Sequence, residues 1–106
     1  MKVTSPSHLS DAAKHWFREI AEAYAITDRA GLLLLQQAAE AWDRAAECRE
    51  AIARDGSTTR DRFGQVRAHP LLAAERDARA GFLAAVKHLQ LDVAAVPQER
   101  KPHAGA

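Results

Sequence analysis

The side chains with the means to do chemistry are five histidines, one cysteine and four arginines gathered between residues 54 and 67. His8, His15, His88 and His103 lack the paired spacing of a helical zinc site and read as surface placements. Cys48 has no histidine at a suggestive position to activate it, so it reads as a small apolar residue. One cysteine excludes an intramolecular disulfide and a cysteine-based zinc cluster within one chain. There is no glycine-rich phosphate loop, and the carboxylates mix with Arg and Lys, as in "ERDAR" at 75–79, where i,i+4 pairing is the simplest account. No catalytic residue, metal or cofactor is expected from this set. His69 stands directly before Pro70. A residue before proline is pushed toward extended backbone, and the imidazole can exchange one hydrogen bond with a helix start. His69 and Pro70 therefore read as a structural joint.

The arginines are different. Arg54, Arg60, Arg62 and Arg67 face only Asp55 and Asp61 over this stretch, a local excess of two positive charges in a chain whose formal charge is +1. A guanidinium fork matches the geometry of a phosphate. One copy with so small an excess binds DNA feebly, whereas a ring of copies gathers the arginines into a collar. Arg60, Arg62 and Arg67 are the candidate DNA contacts, followed by Lys14 and Arg18. The plainer reading, a solvated hairpin, stays open beside this one.

The elements that carry these residues follow from composition and period. Hydrophobic residues make up 47% of the chain, and alanine alone supplies 24 residues. Alanine gives up no side-chain entropy in a helix, so helices are favoured. Ser10 stands as an N-cap with Asp11 in the first turn. Ala13, Trp16, Phe17, Ile20, Ala21 and Tyr24 then recur at helical spacing to about residue 25. Thr27 and Asp28 start a second helix with Leu32, Leu35, Ala38, Ala39, Trp42, Ala45, Ala46, Arg49 and Ile52 on one stripe. It ends at Asp55-Gly56, with Gly56 suited to a left-handed position. At 28–55 it is about 42 Å long, more than so small a domain needs for itself. Leu33 and Leu34 lie off its main stripe. Excess length and excess apolar arc point to packing against another copy, with Trp16, Leu33, Leu34 and Trp42 as candidate interface residues.

Residues 57–68 break the helical period. Thr58, Thr59, Phe63 and Val66 suit strands, and Asp61 and Gly64 suit a turn, so a two-stranded hairpin is expected. Pro70 at the first helical position opens a third helix to about residue 90, with Leu71, Ala78, Phe82, Ala85, Val86 and Leu89 facing inward. The expected fold is mainly α: three principal helices, one of them long and central, with a small β-hairpin between the second and third. Residues 1–9 read as a flexible leader, 10–93 as a helical oligomerisation domain and 94–106 as a flexible tail. No signal peptide is visible, and the run "LLLL" at 32–35 is too short to span a bilayer.

The order "LSDAAKHWFREI", "DRAGLLLLQQAAEAWDRAAECREAIARDG" and "GQVRAHPLLAAERDARAGFLAAVKHLQLD" resembles the small terminase subunits of tailed bacteriophages and prophages. The likeness extends to the branch with HNH-associated, cohesive-end packaging modules. The residues that carry it are Trp16, Asp28, Arg29, Trp42, Asp55, Gly56, His69, Pro70, Arg76 or Arg79, and the stop from Leu89 to Asp92. It covers about residues 9 to 93. The resemblance implies a non-catalytic, ring-forming subunit of roughly eight to ten copies. Such a subunit engages double-stranded viral DNA and regulates the large subunit, which carries the ATPase and nuclease, in the cytoplasm of the bacterial host. The alternative left by the residues themselves is an α-helical protein-interaction module, a dimer or small oligomer, with no nucleic-acid role.

Overall fold

A computed structural model describes residues 4–91. The elements run α1 (Asp11–Ala23), α2 (Arg29–Asp55), β1 (Thr58–Arg60), β2 (Val66–Ala68) and α3 (Leu71–Leu89). The chain is mainly α, with an antiparallel hairpin between the second and third helices, as the sequence pattern requires. The tail expected at 94–106 lies outside the described residues.

Local chemistry sets the helix ends. Ala13 N–H donates to Ser10 Oγ at 3.1 Å, and Gly31 N–H donates to Asp28 Oδ2 at 2.9 Å, so both expected N-caps are in place. α1 and α3 end on left-handed residues that are not glycine, Ala25 at φ 53° and Gln90 at φ 60°. In each case the next residue's N–H reaches back to the last turn: Ile26 to the Ala21 carbonyl at 2.8 Å and Leu91 to the Val86 carbonyl at 3.3 Å. Ile26 and Leu91 also pack against the core, and this apolar anchor offsets the backbone cost at the preceding residue. α2 ends differently. Gly56 has φ 88° and ψ 160°, a mirror-extended conformation rather than the expected left-handed helical one, and only glycine enters it freely.

α2 and α3 run antiparallel. Arg49 meets Glu75 across them at 3.4 Å, while Leu35, Ala38 and Ala39 share one cluster with Phe82, Ala85 and Val86. α1 joins that second end through Ala13, Trp16, Phe17, Ile20 and Ala21. Alanine at 38, 39 and 85 lets the helices approach closely, and Leu35 between them is fully buried, contributing about 2 kcal/mol of hydrophobic free energy. The Trp16 ring lies 5.5 Å from Phe82, centroid to centroid, tilted by 54°. The buried face of α2 continues through Ala45, Cys48 and Ala51. Cys48 is thus a small core residue, while Arg49 and Ile52, on the expected stripe, are only half-buried.

Structure begins before the first helix. Leu9 is buried in the core cluster. Ser10 donates from both its N–H and its hydroxyl to Asp43, at 2.8 and 2.5 Å. His8 Nε2 sits 2.6 Å from Glu40 Oε2, and the Gln36 amide donates to the same oxygen at 3.0 Å. That amide, and then His8, hold the Glu40 carboxyl below its ordinary pKa against the opposing effect of burial. Residues 8–10 therefore tie the start of α1 to the middle of α2, although 8 and 9 read as leader from sequence.

Candidate nucleic-acid interface

His69 is the buried polar residue on which the far end of the molecule turns. Its backbone N–H donates to the Ser57 carbonyl at 2.9 Å. Its Nδ1 accepts the Leu71 N–H at 3.0 Å, which places the ring proton on Nε2, and Nε2 donates to Asp55 Oδ2 at 3.0 Å. The imidazole thus joins the last residue of α2 to the first turn of α3, and the backbone N–H of the same residue holds the foot of the hairpin. Pro70 already has helical dihedrals, φ −59° and ψ −24°, and offers no side-chain cap. The cap comes from His69, and Pro70 fills the first helical position, where its missing N–H costs nothing. The pair is a joint in geometry as well as in sequence. The imidazole hydrogen bond, and then Arg54 at 3.3 Å, hold the Asp55 carboxyl below its ordinary value.

Beyond this joint the hairpin stands out from the helices. Thr58 pairs with Ala68, Thr59 with Arg67 and Arg60 with Val66. β2 is exposed throughout and β1 nearly so, so the ribbon buries neither face within one chain. Asp61 organises its tip. Its Oδ1 accepts the N–H groups of Phe63 and Gln65 at 2.9 and 3.0 Å, and its Oδ2 accepts Arg67 Nε at 3.0 Å. The Gln65 N–H and then Arg67 lower the Asp61 pKa. Gly64 N–H closes the turn on the Asp61 carbonyl at 2.9 Å, with Gly64 at φ 79°, as a turn-plus-bulge hairpin demands. Phe63, which suits a strand by residue type, sits in this turn instead, because the strands end at Arg60 and resume at Val66.

The charge on this arm sorts itself by pairing. Arg54 is matched by Asp55 and Arg67 by Asp61. Arg60 donates to the uncharged Gly64 carbonyl at 2.7 Å, and the Arg62 guanidinium lies over the Phe63 ring, 5.2 Å from its centroid. Arg60 and Arg62 therefore carry the local positive excess, while Arg67 is largely a clamp on the turn.

The remaining candidates fall elsewhere. Lys14 and Arg18 are on α1, which packs near Leu35–Ala39 of α2. From Ala39, α2 runs sixteen residues more to its end at Asp55, about 24 Å at the helical rise, before the hairpin begins, so the structure does not bring the two basic groups together. Arg18 donates to Ser5 Oγ at 3.0 Å. Trp16 is taken up by its own chain's core beside Phe82. Trp42 and Leu34 are half-buried, and Leu33 is 54% exposed. Between the two ends lies a cleft of about 590 Å³, where Glu40, Asp43, Glu47 and Asp77 outnumber Arg44 and His8. The near-neutral total charge thus hides an acidic middle and a basic arm. Among the described residues no group of three or more His, Cys, Asp or Glu is placed to hold a metal ion. No described helix is long and apolar enough to cross a membrane.

The His8–Glu40 contact went unread in the sequence, where the two residues are 32 apart. His15, also read as an isolated surface residue, lies 3.9 Å from Glu19 one helical turn on. The expected i,i+4 pairing in "ERDAR" is present, with Arg79 3.5 Å from Glu75.

Neither the curated proteins nor the solved structures contain a match to this chain. A comparison with protein-family models does find one, over residues 12–100, to the family described as phage terminase, small subunit. That span takes in all three helices, the joint and the hairpin, so the chain belongs to the phage terminase small subunit family.

Proposed function

We propose that this chain is the non-catalytic subunit of a DNA-packaging terminase, of the cohesive-end, HNH-associated branch. It assembles into a ring, engages double-stranded viral DNA through its hairpins and regulates the large ATPase and nuclease subunit. Family membership supports the packaging role in general. The observation that carries the DNA reading is the arm itself, an exposed ribbon whose Arg60 and Arg62 have no carboxylate partner among the ion pairs of the described residues. A helix pair that already has a core has no need of a ribbon burying neither face, and an isolated hairpin is marginal in water without a partner.

The assembly reading is supported by the apolar surface near the start of α2. Leu33 is 54% exposed, with Leu34 half-buried beside it, while Trp42, mid-helix on the face opposite Leu33, packs against the core. Contacts of this kind made head to tail close into a ring when the rotation permits. Each ring then displays one arginine arm per subunit, and weak contacts add. Trp16 is buried in its own chain's core beside Phe82 and offers little surface to a second copy.

Titration of the full chain against a random-sequence duplex across a salt series tests this reading. Each phosphate contact contributes a slope of about −0.9 to log K against log salt. A steep slope, roughly −2 for each engaged subunit's two free arginines, is the expected result. Absence of duplex binding at low salt contradicts the DNA role.

A further inference from the structure

We infer that Phe63 is a wedge that contacts bases, inserted by the hairpin tip into a groove of the duplex; this rests on the reading that the arm engages DNA. Phe63 is 74% exposed, an unusual position for a phenyl ring in a chain this small, and nothing in the fold needs it there. The tip is built to hold it. Its N–H is fixed on Asp61 Oδ1, the turn is closed by Gly64 on the Asp61 carbonyl, and Arg67 locks the other carboxylate oxygen. The backbone that carries the ring is therefore set in advance, which lowers the ordering cost on binding.

Its surroundings match an anionic double helix. Arg62 covers one side of the ring at 5.2 Å, and Arg60 is held at the neck of the turn. An inserting ring thus arrives with two cations placed beside it at the level of the phosphates. A two-stranded ribbon is narrow enough to enter a groove, and apolar side chains inserted between base steps unstack them and bend the duplex. An apolar pocket on a protein is the competing destination, but it gives no reason for two unmatched arginines flanking the ring. Stacking on bases is indifferent to sequence, so the wedge grips DNA without reading it.

The test uses the full chain, comparing wild type with Phe63→Ala and Phe63→Tyr. Three readouts are taken: duplex affinity across a salt series, bending of an end-labelled duplex by energy transfer, and oligomer mass. Phe63→Ala is expected to bind roughly tenfold to a hundredfold more weakly at every salt concentration, with an unchanged salt slope, unchanged mass and a straighter duplex. Phe63→Tyr is expected to retain affinity and bend. A Phe63→Ala chain that binds and bends DNA as wild type does overturns the wedge and leaves the DNA reading standing. A fall in oligomer mass in Phe63→Ala also overturns it, placing the ring in a protein interface. If wild type binds no duplex, the DNA reading falls first and the wedge with it.

Discussion

Replacing His69 with alanine is expected to lower the free energy of unfolding by about 2 kcal/mol, the sum of a lost helix cap, a part-buried hydrogen bond and a small cavity. In a domain of this size that moves the thermal midpoint by about 8–16 °C. The loss is large because one ring serves two helices, capping α3 through Leu71 and tying α2 through Asp55, while the backbone bond to Ser57 stays in place. His69→Asn retains a cap acceptor and tolerates the position before Pro70, so it should recover about half of the loss. Urea melts followed by circular dichroism decide between the two variants.

The same variant carries a pH signature. Asp55 is held below its ordinary pKa chiefly by the imidazole hydrogen bond. The folded state therefore favours the carboxylate. The stability it contributes is complete above the unfolded value, about 3.9, and is lost as pH falls through the lower folded value. With the imidazole gone, that portion of the acid limb flattens, while the portions due to Glu40 and Asp61 remain. An acid limb in His69→Ala as steep as that of wild type would contradict the assigned link.

The second large effect is expected on DNA. Arg60→Ala with Arg62→Ala should weaken duplex binding at least tenfold near 0.1 M salt, and flatten the salt slope by up to about 1.8 per engaged subunit. Both side chains are exposed, and neither lies in the core or the joint, so folding and oligomer mass should not change. The paired arginines make the contrast. Arg67 is bound to Asp61 and Arg54 to Asp55, so each is already partly spent within the chain. The equivalent double change at Lys14 and Arg18, at the other end of α2, should leave most of the affinity in place. A salt titration that cannot tell Arg60→Ala/Arg62→Ala from wild type removes the hairpin from the DNA interface.

What the sequence made legible was local. Ser10 and Asp28 announce helix starts, Asp55-Gly56 a helix end, His69-Pro70 a joint, and Asp61 with Gly64 a turn, because each acts on backbone groups within a few residues. What it left hidden depended on contacts between distant residues. Trp16 meets Phe82, Ser10 meets Asp43 and His8 meets Glu40 only once three helices have packed. The four arginines looked equivalent as a string. Pairing across the turn divides them, since the register that sets Arg67 opposite Thr59 also puts it on the Asp61 side of the ribbon. Phe63 was hidden for a related reason: its residue type suits a strand, and the register that puts it at the tip is fixed by Asp61 and Gly64.

In the proposed function, a single chain is one subunit of a ring that multiplies a weak arginine arm. Light scattering coupled to size exclusion, at low and moderate salt, tests this most directly. For a chain of 11.6 kDa, the proposed ring is expected as one species of about 93–116 kDa, eight to ten subunits. A stable monomer or dimer at both salt concentrations would contradict it, and would leave the arm too weakly charged to hold DNA alone.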